Sequence, residues 1–216
     1  MAILLAATGA TSAFLAADRR PPLDTVAPAT LRRLGRWSPR VLWAQSGDDA
    51  VMRSLETRLA LRRAAIGPTL EALCAAALED GARLYAQAAT RAEGEADPAW
   101  ALIAGLTASG EPAIQRLDLA RGEVTAFGPR TLLAAGTLAE EVQKAADECA
   151  HHHFDGAAFS ADTWAAATVS AAAGAGVAAD FPLDMAVVHP DGTEAPHRLV
   201  TDALVLGEPV FSLVIS

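Results

Sequence analysis

Two apolar runs of strand length stand at the head of the chain, Met1 to Ala7 and Ala13 to Ala17, joined through Thr8-Gly9-Ala10-Thr11-Ser12 and ended by Asp18. This is a β-hairpin signal: a short turn containing glycine between runs too brief for helices. Its place in the chain adds a chemical possibility. If Met1 is removed, the α-amine of Ala2 opens a strand held in a sheet, and such an amine is a base with an ordinary pKa of about 7.7 to 8.

The same stretch has a competing interpretation as a secretion signal. No Lys or Arg precedes the apolar run, Thr8 to Ser12 breaks it, and Arg19-Arg20 follows it, all against that interpretation. No other segment reaches the length of a membrane span. With 52% hydrophobic and 20% charged residues over 216 positions, the chain is expected to fold as one domain, 1–216. Seventeen Lys and Arg against 26 Asp and Glu give a net charge of −9, which argues against nucleic acid as a partner. Cys74 and Cys149 have no motif spacing and fall within predicted helices, as suits buried thiols in a reducing compartment, hence a cytoplasmic protein.

Beyond Asp18, the consecutive prolines Pro21-Pro22 make residues 19–28 a loop. Residues 31–37 and 40–44 read as strands, and Asp48 or Asp49 as the N-cap of a helix whose inner face is Val51, Met52, Leu55 and Leu59. Gly67-Pro68 separates it from a second helix over 69–88, with Leu70, Leu73, Cys74, Ala77 and Leu78 on one side. Strands follow over 100–106, 114–119, 124–127 and 131–135, then an amphipathic helix over 138–150 and an alanine-rich helix over 163–179. Residues 182–188 return as a strand. The last part, 193–216, is read as up to two strands extending the sheet. Strands, two helices, strands, two helices, strands is the order of an α+β fold of four layers, α-β-β-α, with two antiparallel sheets stacked between helical pairs.

This order resembles the proteasome β subunits and their bacterial relatives among the N-terminal-nucleophile hydrolases. Residues 14–20, Phe-Leu-Ala-Ala-Asp-Arg-Arg, look like that family's second strand, which ends in a catalytic aspartate, here Asp18. Thr30-Leu31-Arg32-Arg33-Leu34 looks like the segment that carries the catalytic lysine, and Ser46-Gly47-Asp48-Asp49-Ala50 like the glycine turn before the first helix. Ala134-Ala135-Gly136-Thr137 looks like the turn before the third helix. Residues 182–188, Pro-Leu-Asp-Met-Ala-Val-Val, are most similar to the ancestral-beta-subunit group. The resemblance implies a homo-oligomer, a ring or a helical stack, and no cofactor.

The family's threonine attacks a peptide carbonyl while its own α-amine takes the proton; lysine and aspartate tune that amine, and the glycine-turn N–H stabilises the oxyanion. Ala2 and Asp18 are sixteen residues apart, the family's spacing between nucleophile and aspartate, so Ala2 stands where threonine is expected. Alanine has no atom to attack with. Arg33 replaces the lysine with a guanidinium that holds its proton at neutral pH. Ala178-Ala179 stands where relatives carry a supporting serine. The resemblance thus implies a degenerate site at Ala2, Asp18, Arg33, Gly47 and Thr137, in a protein without threonine-peptidase activity that serves a structural or peptide-binding role. The alternative is an active peptidase or amidohydrolase using another nucleophile or a catalytic paralogue.

Three further groups bear on function. Thr8, Thr11 and Ser12 could become nucleophiles after cleavage, but only seven residues separate Thr11 from Asp18, so they read as turn residues. In His151-His152-His153-Phe154-Asp155 only His151 and Asp155 could share a helix face and hold a metal, and a surface helix end is the favoured interpretation. Trp37, Trp43, Trp100 and Trp164 read as core or subunit-interface residues.

Overall fold

The computed structural model describes residues 3–18, 34–90, 99–136, 139–152, 154–155, 158–177, 182–191, 198–200 and 211–214. In chain order these form β1 (Ile3–Thr8), β2 (Ala13–Asp18), β3 (Leu34–Ser38), β4 (Val41–Ser46), α1 (Asp49–Ile66) and α2 (Leu70–Ala89). There follow β5 (Trp100–Leu106), β6 (Pro112–Asp118), β7 (Glu123–Phe127), β8 (Leu132–Gly136) and α3 (Ala139–Ala150). The remainder are β9 (Phe154–Asp155), β10 (Ala158–Ser160), α4 (Ala161–Gly174), β11 (Leu183–Val188), β12 (Arg198–Val200) and β13 (Ser212–Val214).

The opening hairpin is the middle of a five-stranded sheet. β1 pairs antiparallel with β2, Leu4 opposite Ala17, and on its other side with β8; β2 pairs with β11, giving the order β12-β11-β2-β1-β8. Every residue of β1 and β2 is buried, which explains why neither strand alternates apolar with polar side chains. Alternation persists in destination. Leu4, Ala6, Leu15 and Ala17 join Leu42, Leu102 and Ile114 between the two large sheets. Leu5, Ala7, Phe14 and Ala16 join Trp164 and Val169 under α3 and α4.

The second large sheet is the meander β3-β4-β5-β6-β7. Its outer face, Val41, Trp43 and Ile103, packs on Leu55 and Leu59 of α1 and Leu70 and Leu73 of α2. The two helices are also tied by charge: Asp80, almost fully buried on α2, accepts from Arg62 Nη1 at 2.6 Å. Sequence and structure therefore agree on the four layers, α-β-β-α.

Three expectations need correction. The alanine-rich helix spans Ala161–Gly174 rather than 163–179, because Gly174-Ala175-Gly176 ends it, with Gly176 at φ 87°. A third, small sheet of order β13-β10-β9 joins the two large ones, so the chain between α3 and α4 is not only a helix end. Consequently the final strands do not both extend one sheet: β12 pairs with β11, whereas β13 pairs with β10. Strands of two or three residues are too short to leave a periodic trace. No helix among the described residues is long and apolar enough to cross a membrane.

Candidate functional site

Antiparallel pairing across a tight turn returns the end of β2 to the start of β1. There the fully buried Asp18 accepts the Ile3 N–H on Oδ1 at 3.1 Å. On the other side of β1, Ile3 lies opposite Gly136, the last residue of β8. Asp18, Ile3 and Gly136 thus gather on three adjacent strands at one end of the sheet. Gly136 has φ 111°, a conformation that favours glycine, and the chain turns there toward α3. Ala2, Arg33, Thr137, Ala178 and Ala179 lie outside the described residues; Ala2 and Thr137 adjoin Ile3 and Gly136 in sequence.

Gly47 belongs to the other sheet. It joins β4 to α1 with φ 138°, again a glycine conformation, and the next residue, Asp48, caps the helix by accepting the N–H groups of Ala50 and Val51 at 2.8 and 2.9 Å. A backbone N–H at this position sits at the electropositive end of α1. Ser46, buried, precedes the turn and is opposite Trp100 in the β4–β5 register.

Sequence reasoning missed two buried or half-buried polar residues around this frame. Asp184, near the start of β11 and opposite Ala17, is only 2% exposed; its neighbours Ala186 and Val188 fill the intersheet core, so strand alternation turns it the same way. Arg116 lies with its guanidinium 5.8 Å from the ring centre of Trp100 and 5.7 Å from that of Phe127. Trp100 is half-buried, while Trp37, Trp43 and Trp164 are core residues. Asp184 already stood inside a quoted motif, whereas Arg116 had no signal except its place in a strand.

Of the alternative nucleophiles, Thr8 is otherwise engaged. The Thr8 hydroxyl donates to Gly128 O at 2.8 Å and accepts the Thr131 N–H at 3.0 Å. The Ser12 backbone carbonyl accepts the Gly9 N–H, closing the turn, with Thr11 exposed at its tip. Burial, and next the charge of Glu71, raises the Cys74 thiol above its usual range. Burial also raises Cys149, with the nearby Thr168 hydroxyl opposing it and the charge of Glu148 adding to it. A raised thiol is a poor nucleophile near neutrality.

The His151–Asp155 pairing on one helix face does not occur: α3 stops at Ala150, His151 is an exposed turn residue, and Asp155 belongs to β9. Among the described residues no three His, Cys, Asp or Glu side chains come together as a metal site. Two open grooves border the frame. One, of about 450 Å³, follows β8 and α3 and is lined by Ala134, Gln143 and Arg116; the other, of about 340 Å³, separates Asp48 and Ser54 of α1 from Leu84 and Gln87 of α2.

No protein-family model and no curated protein sequence matches the chain. Solved structures do. An Anbu (ancestral beta-subunit) protein from Yersinia bercovieri superposes with a TM-score of 0.71 at 11% identity, over 92% of this chain and 87% of that one. The helical assembly of the Anbu complex from Pseudomonas aeruginosa gives 0.73 at 19% identity, over 92% and 86%. An Anbu (Gly-1) mutant from Hyphomicrobium sp. strain MC1 gives 0.71 at 10%, over 93% and 87%. At these identities the likeness is one of fold: the chain has the architecture of the ancestral-beta-subunit, proteasome-like proteins.

Proposed function

We propose that this chain is a self-assembling, proteasome-like protein without threonine-peptidase activity, acting as a structural subunit or a peptide-binding scaffold in the cytoplasm. The observation that carries this reading is the residue at the head of the frame. Asp18 is buried at the end of β2 with its carboxylate on the Ile3 N–H, and the residue before Ile3 is an alanine. Acyl transfer at such a site requires an oxygen or sulfur on that residue to form the covalent bond. Alanine supplies neither, and Arg33 in place of lysine keeps a charge without a proton to lend. Asp18 and Gly47 then have a structural purpose: one fixes the start of β1, the other turns β4 into α1.

Assembly is supported by the fold and by the helical assembly described for the Pseudomonas neighbour. A heterologous contact that does not close on itself gives an open helix, and one that closes gives a ring.

Purified protein incubated with fluorogenic peptides and a covalent probe for N-terminal nucleophiles is expected to show neither turnover nor labelling; either result overturns the reading. Intact mass is expected to show the loss of Met1 alone, whereas loss of about ten residues would point to Thr11 or Ser12 as an exposed nucleophile. Light scattering is expected to give a particle larger than the 22.3 kDa chain, and a strict monomer at all concentrations would remove the assembly proposal.

A further inference from the structure

Among the described residues, β8 is the outer strand of its sheet, paired with β1 on one side only. Such an edge offers backbone N–H and C=O groups to any extended chain that can reach them. Here one side chain makes the bonds that an added strand would make. Gln143 Oε1 accepts the Ala134 N–H at 2.7 Å, and its Nε2 donates to Leu132 O at 3.4 Å. A side-chain carboxamide has the same donor and acceptor groups as a peptide unit. Asp147, one turn further along α3, accepts from the same Nε2 at 2.8 Å and steadies it.

The groove of about 450 Å³ opens along this edge. One wall is α3, with Glu140, Asp147 and Glu148 as carboxylates and Lys144 as the single cation, itself 4.0 Å from Glu148. The opposite wall is Arg116, held against Trp100 and Phe127.

We propose that the edge of β8 is a strand-addition site for an extended, basic peptide, and that Gln143 occupies it when no peptide is present. An incoming residue that pairs with Leu133 in parallel register replaces the Gln143 amide: its C=O accepts the Ala134 N–H and its own N–H donates to the Leu132 carbonyl, so the exchange conserves hydrogen bonds. Side chains of an added strand alternate between two faces. Those turned to α3 meet the carboxylates, so Lys or Arg at every second position is the complementary pattern. The inference deepens the peptide-binding reading and rests on it only in taking peptide as the ligand. The site is distinct from the frame at Asp18 and Gly47, so capture at β8 and turnover at that frame are separate readouts.

The test is fluorescence anisotropy with a labelled six-residue peptide alternating Lys and Thr, and a control alternating Glu and Thr, on the full-length protein. Gln143→Ala is expected to bind the Lys peptide roughly tenfold more tightly than wild type, because the competing amide is gone. Ala134→Pro, which removes the N–H at an edge position that tolerates proline, is expected to lose binding. Equal affinity of wild type and Gln143→Ala, or equal affinity for the Glu peptide, overturns the proposal. A larger particle for Gln143→Ala without peptide would show that the edge takes a second copy instead, and also overturns it. Should Ala134→Pro fail to fold, hydrogen exchange of residues 132–136 in wild type decides: slower exchange with the Lys peptide is expected, and unchanged exchange overturns.

Discussion

A single buried carboxylate shows how a site can lose its chemistry and keep its geometry. Asp18 would be dispensable if its only role were to tune an amine that has no nucleophile beside it. Its bond to the Ile3 N–H gives it another role, since a buried N–H left without an acceptor costs about 1 to 3 kcal/mol. Asp18→Ala is therefore expected to lower the unfolding free energy measured in urea by about 1 to 3 kcal/mol; an unchanged midpoint would contradict a structural role. At this scale the sequence was partly legible. Asp18 and Gly47 were identified by spacing and type, and the structure gives each a backbone reason. Gln143 was invisible because, in sequence, it is one more polar residue of an amphipathic helix, and only the strand edge beside it gives it meaning. His151 and Asp155 misled for the converse reason: an i, i+4 interval matters only while the helix continues, and α3 ends first.

At the scale of elements, ends with their own chemistry were readable and ends without it were not. Asp48 and Thr69 cap α1 and α2 with side-chain oxygens, as Ser, Thr, Asp and Asn are suited to do. Asp48→Ala is expected to cost about 1 kcal/mol in thermal or urea unfolding, with the loss concentrated in faster hydrogen exchange over the first turn of α1. A uniform effect along the helix would mean that the cap does not set its start. By contrast, Ser160 makes no side-chain cap hydrogen bond on α4, and that start was misjudged by two residues. The long strands were found because strand-length runs stand between turns that contain glycine or proline. β9 and β10 were not found, and β13 was expected in the wrong sheet, since their position depends on pairing between different segments of the chain.

For the whole molecule, the two thiols offer a test of the layered packing. Both are held above their ordinary range chiefly by burial. The folded state thus keeps its thiol protons to higher pH than the unfolded state. The stability this contributes is fully present below the unfolded thiol pKa and is lost as pH rises through the ordinary range toward the folded values. Urea unfolding is expected to show a decline in stability above about pH 8.5 that is absent from the Cys74→Ala/Cys149→Ala double variant. A decline of equal size in both proteins would locate its cause elsewhere.

The pairing of β1 with β8 also bears on the order of synthesis. Ile3 meets Gly136, so β1 leaves the ribosome well over a hundred residues before its second neighbour exists. Until then the hairpin exposes two apolar faces, one destined for the opposite sheet and one for α3 and α4. Contacts between such distant segments are slow to form, and an unpaired apolar strand is what chaperones hold and aggregates recruit. The layers that conceal the hairpin in the finished protein thereby make its nascent chain a candidate for escort during translation.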